Sequence, residues 1–158
     1  GVLLTCIHEI DYLYWFFGNV DNVISITGQY SNLKISADDL SVGVLKFKNN
    51  IIAEFHLDYF QKPEFRSCKI IGTKGTIYLD SNSNIVKIYE NEKNKWTQVL
   101  KWSKYERNLM FQQELKHFLE CVEKQKHTIN PIEKDGVNTL KIVLGIKKSS
   151  KLRKMVKI

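Results

Sequence analysis

Apolar residues recur at Leu3, Ile7, Ile10, Leu13, Tyr14 and Phe17, a three-four spacing that predicts one amphipathic helix over residues 2–17. Gly18 follows where such a helix should stop, since glycine accepts the positive φ of a C-terminal cap. The opposite side of this helix holds Thr5, His8, Glu9 and Tyr12. The period then shortens to two. Residues 20–31 alternate weakly, while 40–47 (LSVGVLKF) and 51–60 (IIAEFHLDYF) flank Asn49-Asn50, which suits a tight hairpin because asparagine tolerates positive φ. Within 51–60, Ile51, Ala53, Phe55, Leu57 and Tyr59 face one way, and Ile52, Glu54, His56, Asp58 and Phe60 the other. That is the pattern of an antiparallel sheet covered on one side. Further strands are expected at 65–72, 76–80, 85–90 and 96–102, with turns at 73–75 and 81–84.

Helical periodicity returns near Ser103, which makes a capping-box pattern with Glu106. Phe111, Leu115, Phe118, Leu119 and Val122 form the stripe of a helix running to about Gln125. Residues 127–133 read as a loop. Asp135 reads as the N-cap of a last helix with Val137, Leu140, Val143, Leu144 and Ile146 inward, ending near Ser149, and 155–158 as a short strand. With no repeats or low-complexity linkers, 1–158 is expected to be a single α+β domain: an open-faced, mainly antiparallel β-sheet with helices packed on one face.

Composition agrees with a soluble globular domain, at 43% hydrophobic and 26% charged residues. No apolar run approaches the roughly 20 residues of a membrane span, so no membrane partner is expected. The apolar start lacks a basic leader and contains His8, Glu9 and Asp11, unlike a signal peptide. Cys6, Cys68 and Cys121 are an odd number without metal-knuckle spacing, which predicts reduced thiols and a cytoplasmic location. The net charge of +7 would suit nucleic acid, but the lysines are scattered apart from a tail cluster (Lys147, Lys148, Lys151, Arg153, Lys154, Lys157) and no basic stripe with interleaved aromatics is visible. Nucleic acid is therefore not expected as a partner.

Gly72-Thr73-Lys74-Gly75 has the look of a phosphate loop, yet a strand follows it where a phosphate loop must open a helix, so a hairpin turn is expected. No G-x-G-x-x-G is present. Glu54, His56 and Asp58 share a sheet face at metal-ligand reach, but a solvated or interface face explains them, and no metal is expected. Cys121 beside an apolar stripe reads as packing. His8 stands apart, because Thr5 at i−3 and Asp11 at i+3 both come within reach of its ring on a continuous helix, and Asp11 could orient or charge it.

The opening GVLLTCIHEIDYLYWFFG resembles the start of the C-terminal domain of the Gfo/Idh/MocA oxidoreductases, where a glycine-rich turn leads into a helix of form GG-x-L-x-D-x-(G/S)-x-H-x-x-D. FRSCKIIGTKGTIYLD is similar to that family's R…I-x-G-x-x-G-x-I hairpin, NLMFQQELKHFLECVEK to its N-x-M-(Y/F)-x-x-E helix, and Asp135 to Ser149 to its last helix. The resemblance implies a two-domain enzyme in which an N-terminal Rossmann domain, absent from these 158 residues, holds NAD or NADP and an E-K-P lysine. The present chain would then supply the substrate wall, the motif histidine and the oligomer interface, for a sugar, sugar nucleotide or polyol. His8 matches the motif histidine and becomes the catalytic candidate; Thr5, Asp11 and Tyr12 become substrate-binding candidates. The upstream acidic position is Leu4 or Thr5, neither a carboxylate, so a non-catalytic binding or dimerisation module is the alternative. Gln61-Lys62-Pro63 imitates E-K-P but lies after the histidine helix, between two strands. No cofactor is expected to bind this chain alone. Homo-oligomerisation is expected through the sheet face carrying Ile52, Glu54, His56, Asp58 and Phe60.

Overall fold

The computed structural model describes residues 1–102, 106–126 and 132–158. The α+β, antiparallel reading holds, with the strands parted between two four-stranded sheets. The chain divides into two compact units, residues 1–60 with 127–158, and residues 61–126.

The first unit opens with α1 (Val2–Thr5) and α2 (Ile7–Phe17). Where periodicity predicts one helix, the backbone breaks at Cys6, whose φ of −97° and ψ of 26° end α1 and start α2. Apolar spacing cannot register such a break, because the buried faces of both pieces still line up: Val2, Leu3, Ile10 and Leu13 are all buried. Gly18 ends α2 as expected, at φ 78°, with its N–H on the Tyr14 carbonyl at 2.7 Å. Strands β1 (Val20–Gly28), β2 (Leu40–Phe47) and β3 (Ile52–Asp58) form an antiparallel sheet, and β8 (Val156–Lys157) adds to the far edge of β1, in the order β3-β2-β1-β8. Asn50 takes φ 64° in the β2–β3 turn, the conformation that makes asparagine useful there. Alternation in β3 sorts as expected: Phe55 and Leu57 are buried, while Ile52, Glu54 and His56 are exposed.

Helix α4 (Ile132–Leu152) lies on the inner side of this sheet. Asp135 is not its N-cap, because the helix is already under way at Ile132. Of the expected inward residues only Val143 and Ile146 are buried; Val137, Leu140 and Leu144 are exposed. The buried stripe is instead Thr139, Ile142, Val143, Ile146 and Ser149. Two of these are polar, so a search for apolar periodicity rotates the helix wrongly. Their hydroxyls are all satisfied. Ser149 Oγ receives the Ser25 N–H at 3.2 Å and donates to the Lys154 carbonyl at 2.7 Å, and Ser150 Oγ receives the Thr27 N–H at 2.8 Å. Strand β8 pairs only with Asn22 and Val23. The two serines therefore take over the edge of β1 where the ladder ends, leaving neither N–H unpaired. The core beneath joins Val20, Val23, Leu45, Phe47 and Val156 to the helix residues, with Phe17 edge-on to Phe47 at 5.5 Å.

The second unit is a meander, β4 (Ser67–Gly72), β5 (Gly75–Asp80), β6 (Ile85–Glu90) and β7 (Lys95–Lys101), followed by α3 (Arg107–Glu123). Gly72 pairs with Gly75 across a two-residue turn, so this stretch is the expected hairpin. Gly75 is required there: at φ 156° a Cβ would collide with the Tyr89 carbonyl oxygen on β6. The Asp80 carboxylate caps the next turn through Ser83 and the Asn82 N–H, and these bonds with nearby Lys87 hold its carboxyl below the usual carboxylate range. Glu106 precedes α3 without a side-chain cap; its capping-box partner Ser103 lies outside the described residues. The stripe Phe111, Leu115, Phe118, Leu119 and Val122 is exposed, each residue at half or more.

Candidate functional site

Four residues were expected to meet on the wet side of the first helix, and the break at Cys6 divides them. Thr5 ends α1, while His8 stands in the first turn of α2. The His8 side chain is 56% exposed, and its Nε2 lies 3.1 Å from Oε1 of Glu9, whose side chain is only 12% exposed. The carboxylate beside the ring is thus Glu9, not Asp11. Glu9 is itself placed favourably at a helix N-terminus. Its N–H bonds the Cys6 carbonyl at 3.0 Å.

Asp11 has another role. Its Oδ1 accepts the Thr139 hydroxyl of α4 at 2.6 Å. One turn on, the Tyr14 hydroxyl receives the Asn138 amide at 2.8 Å and reaches Asp135 at 3.4 Å. Asp11 and Tyr14 therefore form a polar seam clamping α2 to α4 above the apolar contacts. Tyr12 is half-buried against the core, with its ring 5.7 Å from that of Phe16.

Thr5 is joined by a residue that sequence reasoning left in the core. The Tyr59 hydroxyl donates to Thr5 Oγ1 at 2.6 Å, and Thr5 Oγ1 donates to the Gly1 carbonyl at 3.2 Å. Tyr59 closes the inward alternation of 51–60, and a hydroxyl at the last position of an apolar face is the signal that could have found it. Its backbone N–H bonds the carbonyl of the fully buried Asp39 at 3.1 Å. Asp39 also gathers the Tyr30 N–H at 2.7 Å, the Ser31 N–H at 3.0 Å and the Ser31 hydroxyl. Burial alone pushes this carboxyl up, but the Ser31 hydroxyl and the N–H groups of Tyr30, Ser31 and Asp39 itself outweigh it and hold the pKa below the usual range.

Away from this region, His56 Nε2 and Asp58 Oδ2 are 2.9 Å apart, and Asp58 Oδ1 caps the Phe60 N–H. Glu54 does not complete a ligand set: among the described residues no three His, Cys, Asp or Glu side chains group to hold a metal. The three cysteines are partly buried, and the Cys121 Sγ lies 3.6 Å from Nε2 of His117. No described helix is long and apolar enough to cross a membrane. Among the described residues no strand passes through a glycine turn into a helix N-terminus, the unit that receives a dinucleotide pyrophosphate, so the residues present do not fit a nicotinamide cofactor.

The first unit thus presents an open antiparallel sheet packed against α4, with α2 on α4 and an exposed histidine in the first turn of α2. Residues 1–158 match the family description "Oxidoreductase family, C-terminal alpha/beta domain", and the chain belongs to the Gfo/Idh/MocA family. No curated protein sequence matches it significantly. Solved structures show the same fold at low identity. An oxidoreductase domain protein from Kribbella flavida superposes with a TM-score of 0.84 at 15% identity, covering 97% of this chain and 48% of that one. The aldose-aldose oxidoreductase from Caulobacter crescentus, solved with glycerol, gives 0.82 at 17% identity, over 100% of this chain and 48% of that one. The WlbA dehydrogenase from Bordetella pertussis, solved with NADH and UDP-GlcNAcA, gives 0.75 at 17% identity, over 100% and 48%. The chain spans about half the length of these relatives.

Proposed function

We propose that this chain is the substrate-binding and oligomerisation half of an NAD(P)-dependent oxidoreductase acting on a sugar, sugar nucleotide or polyol. The observation that carries the reading is His8, the motif histidine, standing exposed on α2 with a carboxylate 3.1 Å from its ring, while Ile10 and Leu13 of the same helix are buried in the core. Two relatives, solved with NADH and UDP-GlcNAcA or with glycerol, support the substrate class. The nicotinamide supplies the hydride chemistry from outside this chain. His8 holds or moves the proton of the substrate hydroxyl at its imidazole, and Glu9 steadies the ring in place of the carboxylate missing at Leu4 or Thr5. Thr5 and Tyr59 offer hydroxyls to the same substrate. Tyr12 lines the wall, and Asp11 acts on the site by fixing α2.

In a full two-domain enzyme built around this segment, His8→Ala should lower kcat by about 10²-fold or more, the scale for losing a general acid or base. Its unfolding midpoint should barely move, since an exposed side chain leaves no cavity. Normal turnover with lost stability would instead make His8 a structural histidine; the non-catalytic module is the reading that Asp11 supports by spending its carboxylate on Thr139. Titration of the isolated chain with NAD or NADP should give no micromolar binding.

Self-association uses the outer face of the first sheet. Ile24, Ile26, Val44 and Ile52 are exposed there beside Glu54 and His56, a contiguous apolar patch with a polar rim. Covering it in a stable dimer requires about 1,000 Å² or more of buried area. Light scattering at high micromolar concentration should find a dimer or larger, and Ile26→Lys should return it to monomer. A wild-type monomer refutes this part.

A further inference from the structure

Residues 136–158 contain six lysines, one arginine and no aspartate or glutamate. Three of these cations converge. A cleft of about 460 Å³ between the end of β1 and the last turn of α4 is lined by Lys147, Lys151 and Arg153, with Thr27, Asp38 and Ser150. Its one carboxylate is already engaged: Asp38 Oδ2 accepts the Leu3 N–H at 3.1 Å, and Oδ1 lies 3.6 Å from Lys147 Nζ. Neither Lys151 nor Arg153 forms an ion pair among the described residues. The wall behind them is fixed, because Ser150 Oγ both receives the Thr27 N–H at 2.8 Å and donates to the Thr27 carbonyl at 3.0 Å.

One local choice here works against stability. Arg153 takes φ 51° at the position after α4, where its N–H reaches the Ser150 carbonyl and the Lys154 N–H reaches the Ser149 carbonyl, both at 3.3 Å. Glycine fits that cap without steric conflict, so an arginine there is a side chain held at a conformational cost. Sequence choices that disagree with local stability mark functional positions.

We propose that this cleft binds a phosphoryl dianion, with Arg153 as a two-pronged donor and Lys151 as a point charge, while Lys147 neutralises Asp38. The guanidinium fork matches phosphate geometry, and charge-assisted bonds are the strong ones. The cleft is open to solvent, so the group it takes is free phosphate or the phosphate of a small organic ligand whose remainder stays in water. The site is independent of the oxidoreductase reading.

The test is an amide NMR titration of the protein at constant ionic strength with inorganic phosphate, glucose 6-phosphate and, as a control, glucose. Saturable shifts at Thr27, Ser150, Lys151 and Arg153 are expected with both phosphates and not with glucose. Tighter binding of glucose 6-phosphate identifies an organic phosphate; equal binding identifies free phosphate. The pair Lys151→Gln with Arg153→Gln should weaken binding at least tenfold, while Lys95→Gln, on another part of the chain, should leave it unchanged. Should the double variant misfold, Arg153→Gly suits the backbone at this position and should still weaken binding severalfold. Weak shifts spread over all lysines without saturation, or wild-type binding by a folded variant, would overturn the proposal.

Discussion

The clamp between Asp11 and Thr139 can be measured directly, and it decides whether the motif aspartate is a structural residue. Thr139 is 3% exposed and its hydroxyl reaches Asp11 at 2.6 Å, so the bond is short, charge-assisted and partly shielded from water. Asp11 itself is exposed overall, so its carboxylate regains water when the partner is lost. Thr139→Val keeps the side-chain shape and removes only the hydroxyl; its cost should be about 1 kcal/mol. Asp11→Ala leaves a buried hydroxyl short of its acceptor and should cost about 1–2 kcal/mol. Because each substitution breaks the same bond, the double variant should cost less than the sum, with a coupling of about 1 kcal/mol. Urea unfolding of the four proteins at pH 7 gives each term. Additivity within about 0.3 kcal/mol would refute the clamp. So would an Asp11→Ala protein of unchanged stability whose full-length form has lost turnover, since that outcome places the carboxylate in the chemistry instead.

Ser149→Ala should destabilise by about 1–3 kcal/mol, because it orphans the Ser25 N–H and the Lys154 carbonyl at a fully buried site; faster hydrogen exchange at the Ser25 amide checks the mechanism. Asp39 has a lowered folded pKa, so its contribution is complete above the unfolded value of about 3.9 and disappears as pH falls through the folded one. Urea midpoints measured from pH 6 to pH 2 should therefore drop less steeply for Asp39→Asn than for wild type, and parallel curves would contradict this. Gly75→Ala should cost about 1–3 kcal/mol by driving a methyl into the Tyr89 carbonyl, read as a lower thermal midpoint.

Period and turn chemistry are local, and what they govern was legible in the chain. The two faces of β3, the Asn49-Asn50 hairpin, the Gly72–Gly75 turn and the stop at Gly18 all follow from apolar spacing and from which residues accept positive φ. The family was legible too, since its motifs sit on short stretches in a set order. The Cys6 break was not, because both helix pieces bury compatible faces and apolar spacing runs through it unchanged. Nor was the true inner face of α4, where Thr139 and Ser149 are buried because their hydroxyls find partners on Asp11 and Ser25, both far away in sequence. The site divides in the same way. That His8 is exposed follows from the polar side of its helix. That Asp11 turns to α4, and that Tyr59 arrives at Thr5 from 54 residues away, are decided by packing. A hydrogen bond between distant segments exists only once the core has fixed where those segments meet.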